Sequence, residues 1–380
     1  MRVLIVDDSA FMRHALSRLL TEAGIEVVGA VGNGELGLDA ARTLHPDVIT
    51  LDVEMPVMDG LSMLRRLMVE TPTRVIMLSS LTSAGGAVTF DALEAGAIDF
   101  VGKPSGSLSI DIGRVAAELV AKLHAAVAMP EATFLAHRQR AAARHQPAPG
   151  PAQAPAARAE RSERPRSNIP ARRLVVVASS TGGPAALQAF VQGLPPRLGA
   201  GMILVQHMPP GFTASLAVRL DAACAMPVAE ARPGDVLIED ELVIVPGDVH
   251  LIASGGGRLQ LVQLPPVNGV RPAADVTMIS VAPIWRERLL AVVLTGMGFD
   301  GRDGARAVRA HGGTVYAQDE ATATIYGMPA AVAQAGLANR VLPLGRVAEA
   351  VASWAKSPAG PAAATRSGDP APALRWTRST

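Results

Sequence analysis

The chain has 380 residues, a formal net charge of +1 and one cysteine, Cys224. At roughly 100–200 residues per domain this length predicts two domains, and the charge balance excludes a uniformly basic nucleic-acid-binding protein. One thiol excludes an intramolecular disulfide and a cysteine-based zinc site. Hydrophobic residues make up 49% of the chain but aromatics only 3%, so the core is expected to be aliphatic. No run reads as a membrane span. The longest uncharged stretches follow Arg173 and Arg197 and are broken by Gly182-Gly183, Pro195-Pro196 and Pro209-Pro210, where a span needs about 20 apolar residues. The N-terminal apolar run 3–6 stops at Asp7-Asp8, unlike a secretory core. A cytoplasmic protein is expected.

The charge is unevenly distributed. Residues 1–125 hold 10 basic against 16 acidic side chains, residues 126–173 hold 9 against 3, and residues 174–356 hold 13 against 14. The basic middle is rich in Arg, Ala, Pro and Gln and poor in large apolar residues. Such a segment cannot offset its ordering entropy by burial. The reading is therefore a block at 1–125, a linker at 126–171, a block at 172–356 and a disordered tail at 357–380. The linker is further expected to lie against the acidic first block.

In the first block, apolar runs at 3–6, 26–31, 48–51, 75–78 and 98–101 alternate with helical patterns, the first of which opens at Ser9 and stops near Gly24. This alternation predicts a parallel, doubly wound sheet covered on both faces. Asp7, Asp8, Asp52 and Lys103 all follow such runs, at the strand ends where these sheets bind ligands. Three carboxylates and a lysine suit a hard cation such as Mg2+ and a carboxylate that accepts a phosphoryl group. Each alone also reads as a solvated loop charge.

Taken together, 51-Leu-Asp-Val-Glu-Met-Pro-Val-Met-Asp-Gly-Leu-61, Val6-Asp7-Asp8-Ser9, Ser79-Ser80 and Lys103-Pro104 resemble the response-regulator receiver family over essentially all of 1–125. The resemblance implies a flavodoxin-like fold with Asp52 as phosphoacceptor and Asp7, Asp8 and Asp52 around Mg2+. It makes Ser79 the hydroxyl that contacts the phosphoryl group, Lys103 its counter-charge and Phe100 the coupled aromatic.

The second block opens as a strand, a small-residue turn at 179–183 and a helix with Pro184 at its start. Such a turn presents N–H groups to an anion or oxyanion, or is simply a helix cap. It lacks the signatures of a P-loop, a dinucleotide fold and an α/β-hydrolase elbow. Strands at 202–206 and 289–294 run into His207 and into 295-Thr-Gly-Met-Gly-Phe-Asp-Gly-301. Ser, His and Asp at one sheet edge form a plausible nucleophile, base and orienter. His250, His311, Asp275, Asp303 and Asp319 remain competitors at this stage. Short alternating runs at 241–245, 249–253 and 258–262 predict antiparallel hairpins inserted into a parallel α/β sheet.

The stretches 178-Ala-Ser-Ser-Thr-Gly-Gly-Pro-184, 205-Val-Gln-His-Met-Pro-209, 294–301, Arg271–Val276, 319–322 and 326–329 resemble the chemotaxis protein-glutamate methylesterase family over roughly 174–352. The resemblance implies a serine hydrolase that demethylates receptor glutamyl esters and deamidates receptor glutamines in some members. Ser180 would be the nucleophile, His207 the base and Asp300 the orienter. Met297 would supply an oxyanion N–H, and Thr181 would lie in the active-site loop. The esterase step needs no cofactor. Implied partners are methyl-accepting chemotaxis receptors and a chemotaxis histidine kinase as phosphodonor, with the protein recruited to receptor clusters. The sequence departs from the family at Phe299 and Ala273, where a polar residue and a serine are more usual. Alternatives are a methylesterase of a non-flagellar pathway and a non-catalytic receptor-binding module. A transcription factor is disfavoured by the neutral second block, which has no helix-turn-helix signature.

Overall fold

The computed structural model describes residues 1–80, 83–103, 111–144 and 167–357. Five strands, β1 (Arg2–Val6), β2 (Glu26–Val31), β3 (Val48–Asp52), β4 (Arg74–Ser79) and β5 (Asp99–Gly102), form one sheet in the order β2-β1-β3-β4-β5. Every pairing is parallel. Nearly all of β1, β3 and β4 is buried, as a sheet covered on both faces requires. The covering helices are α1 (Ala10–Glu22), α2 (Gly34–Leu44), α3 (Gly60–Glu70), α4 (Ser83–Glu94) and α5 (Asp111–Ala128). Ser9, Asn33 and Asp59 open the first three by accepting from the N–H groups of Met12, Leu36 and Ser62. The strand order reverses between β1 and β3, so the ends carrying Asp7, Asp8 and Asp52 flank the switch point.

The second sheet has seven strands in the order β14-β13-β12-β6-β7-β9-β8. They are β6 (Leu174–Ser179), β7 (Gly201–Gln206), β8 (Val228–Glu230), β9 (Leu242–Ile244), β12 (Leu289–Val293), β13 (Thr314–Gln318) and β14 (Arg340–Leu342). All of these pairings are parallel. β10 (His250–Ser254) and β11 (Arg258–Val262) form the expected antiparallel hairpin. The run at 241–245 departs from expectation, because β9 lies in the parallel sheet between β7 and β8. Leu242 and Ile244 are buried and Val243 only half-buried, which mimics a hairpin's alternation. One face of the sheet near this edge is only partly covered, and that produces the pattern.

Alternate residues of the central strands face two cores. Val175, Val177, Met202 and Leu204 pack with α7 (Gly183–Gln192), α8 (Phe212–Ala223) and α12 (Leu344–Lys356). Leu174, Val176, Ile203 and Val205 pack with α9 (Ala274–Trp285), α10 (Arg302–Ala310) and α11 (Met328–Gln334). The first of these cores is continuous with that of the N-terminal sheet. The join lies where α4 meets α7 and α8, and where the Phe100 and Phe212 rings sit 4.5 Å apart.

Helical structure runs past residue 125, where the linker was expected to begin. α5 continues to Ala128, and α6 (Glu131–Arg144) follows. The reason is a sparse apolar stripe. Phe134, His137 and Ala141 are buried, and His137 Nε2 lies 3.3 Å from the Gly96 carbonyl. Arg74 donates to the Met129 carbonyl and to Glu131, and its guanidinium lies 4.9 Å from the Phe134 ring centre. So α6 packs on the first block through Phe134 and the bonds from Arg74, while its Arg140 donates to the Thr322 carbonyl of the second. Of the remaining linker, 167–171 join the second block, where Ala171 bonds to Leu237 and Trp285, while 145–166 and the tail from 358 lie outside the described residues. Phe134→Ala should lower stability by about 3–5 kcal/mol, the cost of emptying a buried aromatic site. Chemical denaturation followed by circular dichroism measures it, and an unchanged midpoint would contradict this packing.

Candidate active site

Three neighbouring strands of the second sheet deliver the expected residues to one edge. β6 ends before Ser180, β7 before His207, and the loop after β12 carries Asp300. His207 Nε2 and Asp300 Oδ2 are 2.7 Å apart. Asp300 is almost fully buried, and it also accepts from the Ala274 and Asp275 N–H groups at 2.6 and 3.0 Å. Burial opposes ionisation, but His207 and these N–H donors outweigh it and hold the carboxyl below its ordinary range. With Nε2 engaged, Nδ1 is the imidazole nitrogen available for proton exchange.

Ser180 Oγ is half-buried and makes no hydrogen bond among the described residues, whereas Ser179 is fully buried and donates to Gln206 Oε1. This contrast favours Ser180 over its neighbour as the reactive hydroxyl. The loop itself is held by Gln206, which sequence reasoning missed. Its Nε2 donates to the carbonyls of both Ser180 and His207, at 3.0 and 3.1 Å. The only sequence signal was a polar residue ending an apolar strand. Two glycines make the turn possible. Gly182 has φ +74°, and a Cβ on Gly183 would lie 2.0 Å from Gln206 Oε1. The Met297 N–H is half-exposed and unbonded among the described residues, and so is available to an oxyanion. Phe299 is exposed beside this loop, under the Arg302 guanidinium.

The competitors have other partners. His250 donates to the Pro265 carbonyl and accepts from the Ala273 N–H. His311 Nδ1 lies 2.9 Å from the Ala307 carbonyl. Asp303 pairs with Arg302 and Arg306, and Asp319 accepts from Thr322. Asp275 is buried and bonded to the Gly301 and Gly304 N–H groups.

At the edge of the first sheet, Lys103 Nζ lies 2.8 Å from Asp7 and 2.7 Å from Asp52. Burial first, and then the charges of Asp7 and Asp8, leave the Asp52 carboxyl raised despite the Lys103 ammonium beside it. Burial works against the Lys103 ammonium, yet the two carboxylates raise its pKa above the ordinary lysine value. Ligand oxygens of Asp7, Asp8 and Asp52 come within 4.8 Å of one another. Asp7 Oδ2 is buried and faces the Lys103 ammonium. This oxygen-only donor set of three carboxylates fits a hard divalent cation. Ser79 Oγ accepts from Thr89 at 2.6 Å, and Phe100 is buried against Phe212.

The two sites are joined through Thr181, already placed in the active-site loop by the sequence, and through Asp99, Lys122 and Arg219, which the sequence does not single out. Thr181, next to Ser180, donates at 2.6 Å to Asp99 of β5. Lys122 of α5 lies 3.3 Å from Asp99 and donates to the Phe100 carbonyl at 2.6 Å. Arg219 of α8 pairs with Asp91 and Glu94 of α4.

Comparison with known proteins agrees with both halves. Residues 175–351 match the CheB methylesterase family and residues 3–110 the response regulator receiver domain. A protein-glutamate methylesterase/protein-glutamine glutaminase of Symbiobacterium thermophilum is 47% identical over 92% of this chain and 96% of its own. Another, from Caulobacter vibrioides, is 43% identical over 94% and 99%. The crystal structure of the Thermotoga maritima CheB methylesterase catalytic domain is 42% identical, covering 48% of this chain and 97% of that one, with a TM-score of 0.47. Gln206→Met should cut ester hydrolysis at least tenfold, since small misplacements of reacting groups are costly. Phosphorylation of the distant Asp52 serves as the control and should be unchanged. Wild-type hydrolysis in this variant would remove Gln206 from the positioning of Ser180 and His207.

Proposed function

The chain belongs to the chemotaxis protein-glutamate methylesterase family, a receiver joined to a hydrolase, and we propose how its residues carry that activity. It hydrolyses glutamyl methyl esters of chemotaxis receptors under receiver control. Ser180 Oγ attacks the ester carbonyl and passes its proton to His207 Nδ1. Asp300 orients the ring and stabilises the imidazolium. The Met297 N–H and the N–H groups around Thr181 receive the oxyanion, a contribution of about 3–4 kcal/mol per donor in comparable sites. His207 then protonates the leaving methoxide, and methanol departs. Water attacks the acyl-serine with His207 as base, giving glutamate and free Ser180. A glutamine amide follows the same course with ammonia leaving. The observation that carries this reading is the 2.7 Å bond from His207 to Asp300 at the sheet edge where Ser180 emerges.

In the receiver, Asp7, Asp8 and Asp52 would hold Mg2+, which when bound supplies positive charge to the phosphoryl group being transferred. Asp52 accepts that group from a chemotaxis histidine kinase, with Lys103 balancing its charge and Ser79 contacting an oxygen. Unphosphorylated, the receiver holds the catalytic loop through Asp99 and Thr181. Phosphorylation repacks the Ser79–Phe100 face and loosens that hold. Among the described residues no single helix is long and apolar enough to cross a membrane. We locate the reaction in the cytoplasm, at receptor clusters where kinase and methylated receptor meet.

Methanol release from methylated receptor fragments tests the chemistry. Ser180→Ala should lower it at least 10³-fold, and a rate near wild type would refute the assignment. Arg219→Ala tests the gating. Two partly exposed ion pairs are worth about 0.5–1 kcal/mol each, so basal turnover of the unphosphorylated protein should rise several-fold, and less at high salt. An unchanged basal rate would mean this interface does not restrain the esterase.

A further inference from the structure

We propose that Asp275 is a positioning residue of the esterase, holding the Asp300 carboxylate in register with His207 by reciprocal capping of two helices. The proposal rests on the assignment of Ser180, His207 and Asp300 given above. Asp300 lies two residues before α10, yet its carboxylate accepts from Ala274 and Asp275, the first N–H groups of α9. Asp275 does the converse. It sits in the first turn of α9, and its Oδ1 accepts from Gly301 at 2.9 Å and Gly304 at 2.6 Å, where α10 begins. Helix starts carry unpaired N–H groups and the positive end of the helix dipole. Each aspartate therefore satisfies the helix start that carries or adjoins the other. Gly301 directly follows Asp300, so its bond to Asp275 fixes the peptide bearing the catalytic carboxylate. The second oxygen of Asp275 accepts from Asn268 Nδ2 at 3.0 Å. Asp275 is 3% exposed, so no bulk water replaces these bonds.

The charged surroundings make the role separable from mere structure. Asp275 faces Asp300 and Asp303 from the α10 side. His207 lies beyond Asp300, and His250 of β10 and Arg271, itself paired with Asp248, lie ahead of α9. Burial first, and then the charge of Asp300, push the Asp275 carboxyl up to about 7. A raised carboxyl is neutral below that pH in the folded protein. There Asp300 carries the pair's one negative charge. Above it two buried charges oppose each other, and His207 feels both.

The experiment compares Asp275→Ala and Asp275→Asn with wild type in the full chain, following methanol release from pH 5.5 to 8.5. Asp275→Ala removes the bonds to the Gly301 and Gly304 N–H groups and should lower kcat at least tenfold while KM changes less than twofold. Asp275→Asn keeps an oxygen for Gly301 and Gly304, so it should recover most of the loss at pH 6. Its ratio to wild type should be flat below pH 6 and change above pH 7, where only the aspartate ionises. A wild-type kcat in the alanine variant overturns the proposal. So does an asparagine ratio that is constant across the range, as purely structural damage would give. If the alanine variant fails to fold, the pH dependence of the asparagine ratio decides alone. Ser180→Ala runs alongside, because residual turnover there would refute the underlying triad rather than the role of Asp275.

Discussion

The buried carboxylate of Asp300 is the constraint around which the second sheet is arranged. Removing a charge from water costs several kcal/mol unless partners replace the lost hydration. Here the replacements are one imidazole and two peptide N–H groups, drawn from two other parts of the chain. The loop after β12 must therefore reach past β6 to meet the residue after β7, so the three strands have to be neighbours. The order β12-β6-β7 satisfies this. α9 must also start at the same point, which ties the second core to the catalytic edge. Asp300 and His207 are held in place because the bond between them is also part of the packing of α9.

The receiver meets the same cost differently. Asp7 and Asp52 are both buried and share one lysine, leaving the cluster short of positive charge. Burial raises Asp52, and the two neighbouring carboxylates raise Lys103. A site left electron-rich in this way favours a bound cation, and with the cation a phosphoryl group. Asp300 is satisfied by its own protein, whereas the receiver's acids leave room for the cation proposed above. This difference suits one site to constant chemistry and the other to switching.

Strand-by-strand reading worked where burial is symmetrical. The runs ahead of Asp7, Asp52, His207 and Asp300 are apolar because both faces of a parallel sheet are covered, and so the site residues at their ends stood out. It failed where coverage is partial. β9 alternates like a hairpin strand because Val243 lies on a thinly covered face near the sheet edge. It also failed at α6, where one phenylalanine, a histidine and an alanine make a packing stripe that composition alone reads as linker. Gln206, Asp99 and Asp275 were illegible for another reason. Their partners are backbone groups or side chains distant in sequence, Asp99 and Thr181 being 82 residues apart, and no local spacing encodes such a bond. In sequence Asp275 reads as a rival for the triad, since the sequence shows a carboxylate but not that it faces the Gly301 and Gly304 N–H groups at the start of α10.

The strength of the contact between the two halves bears on how it can switch. The Phe100–Phe212 contact adds about 0.5–1.5 kcal/mol beyond burial. The Thr181–Asp99 bond, to a charged acceptor, adds about 1.5–3 kcal/mol, and the Arg219 pairs add about 1–2 kcal/mol between them. Together these come to a few kcal/mol. Reversing a two-state ratio from 99:1 to 1:99 takes about 5.5 kcal/mol of differential binding. On the proposed mechanism phosphorylation has to offset these contacts together with the apolar core that the two halves share. Asp99 is well sited to transmit the change. It lies on β5 beside Phe100 and is bonded through Thr181 to the nucleophile's own loop. A shift of β5 that follows Ser79 on the adjacent strand therefore reaches Ser180 without crossing the core.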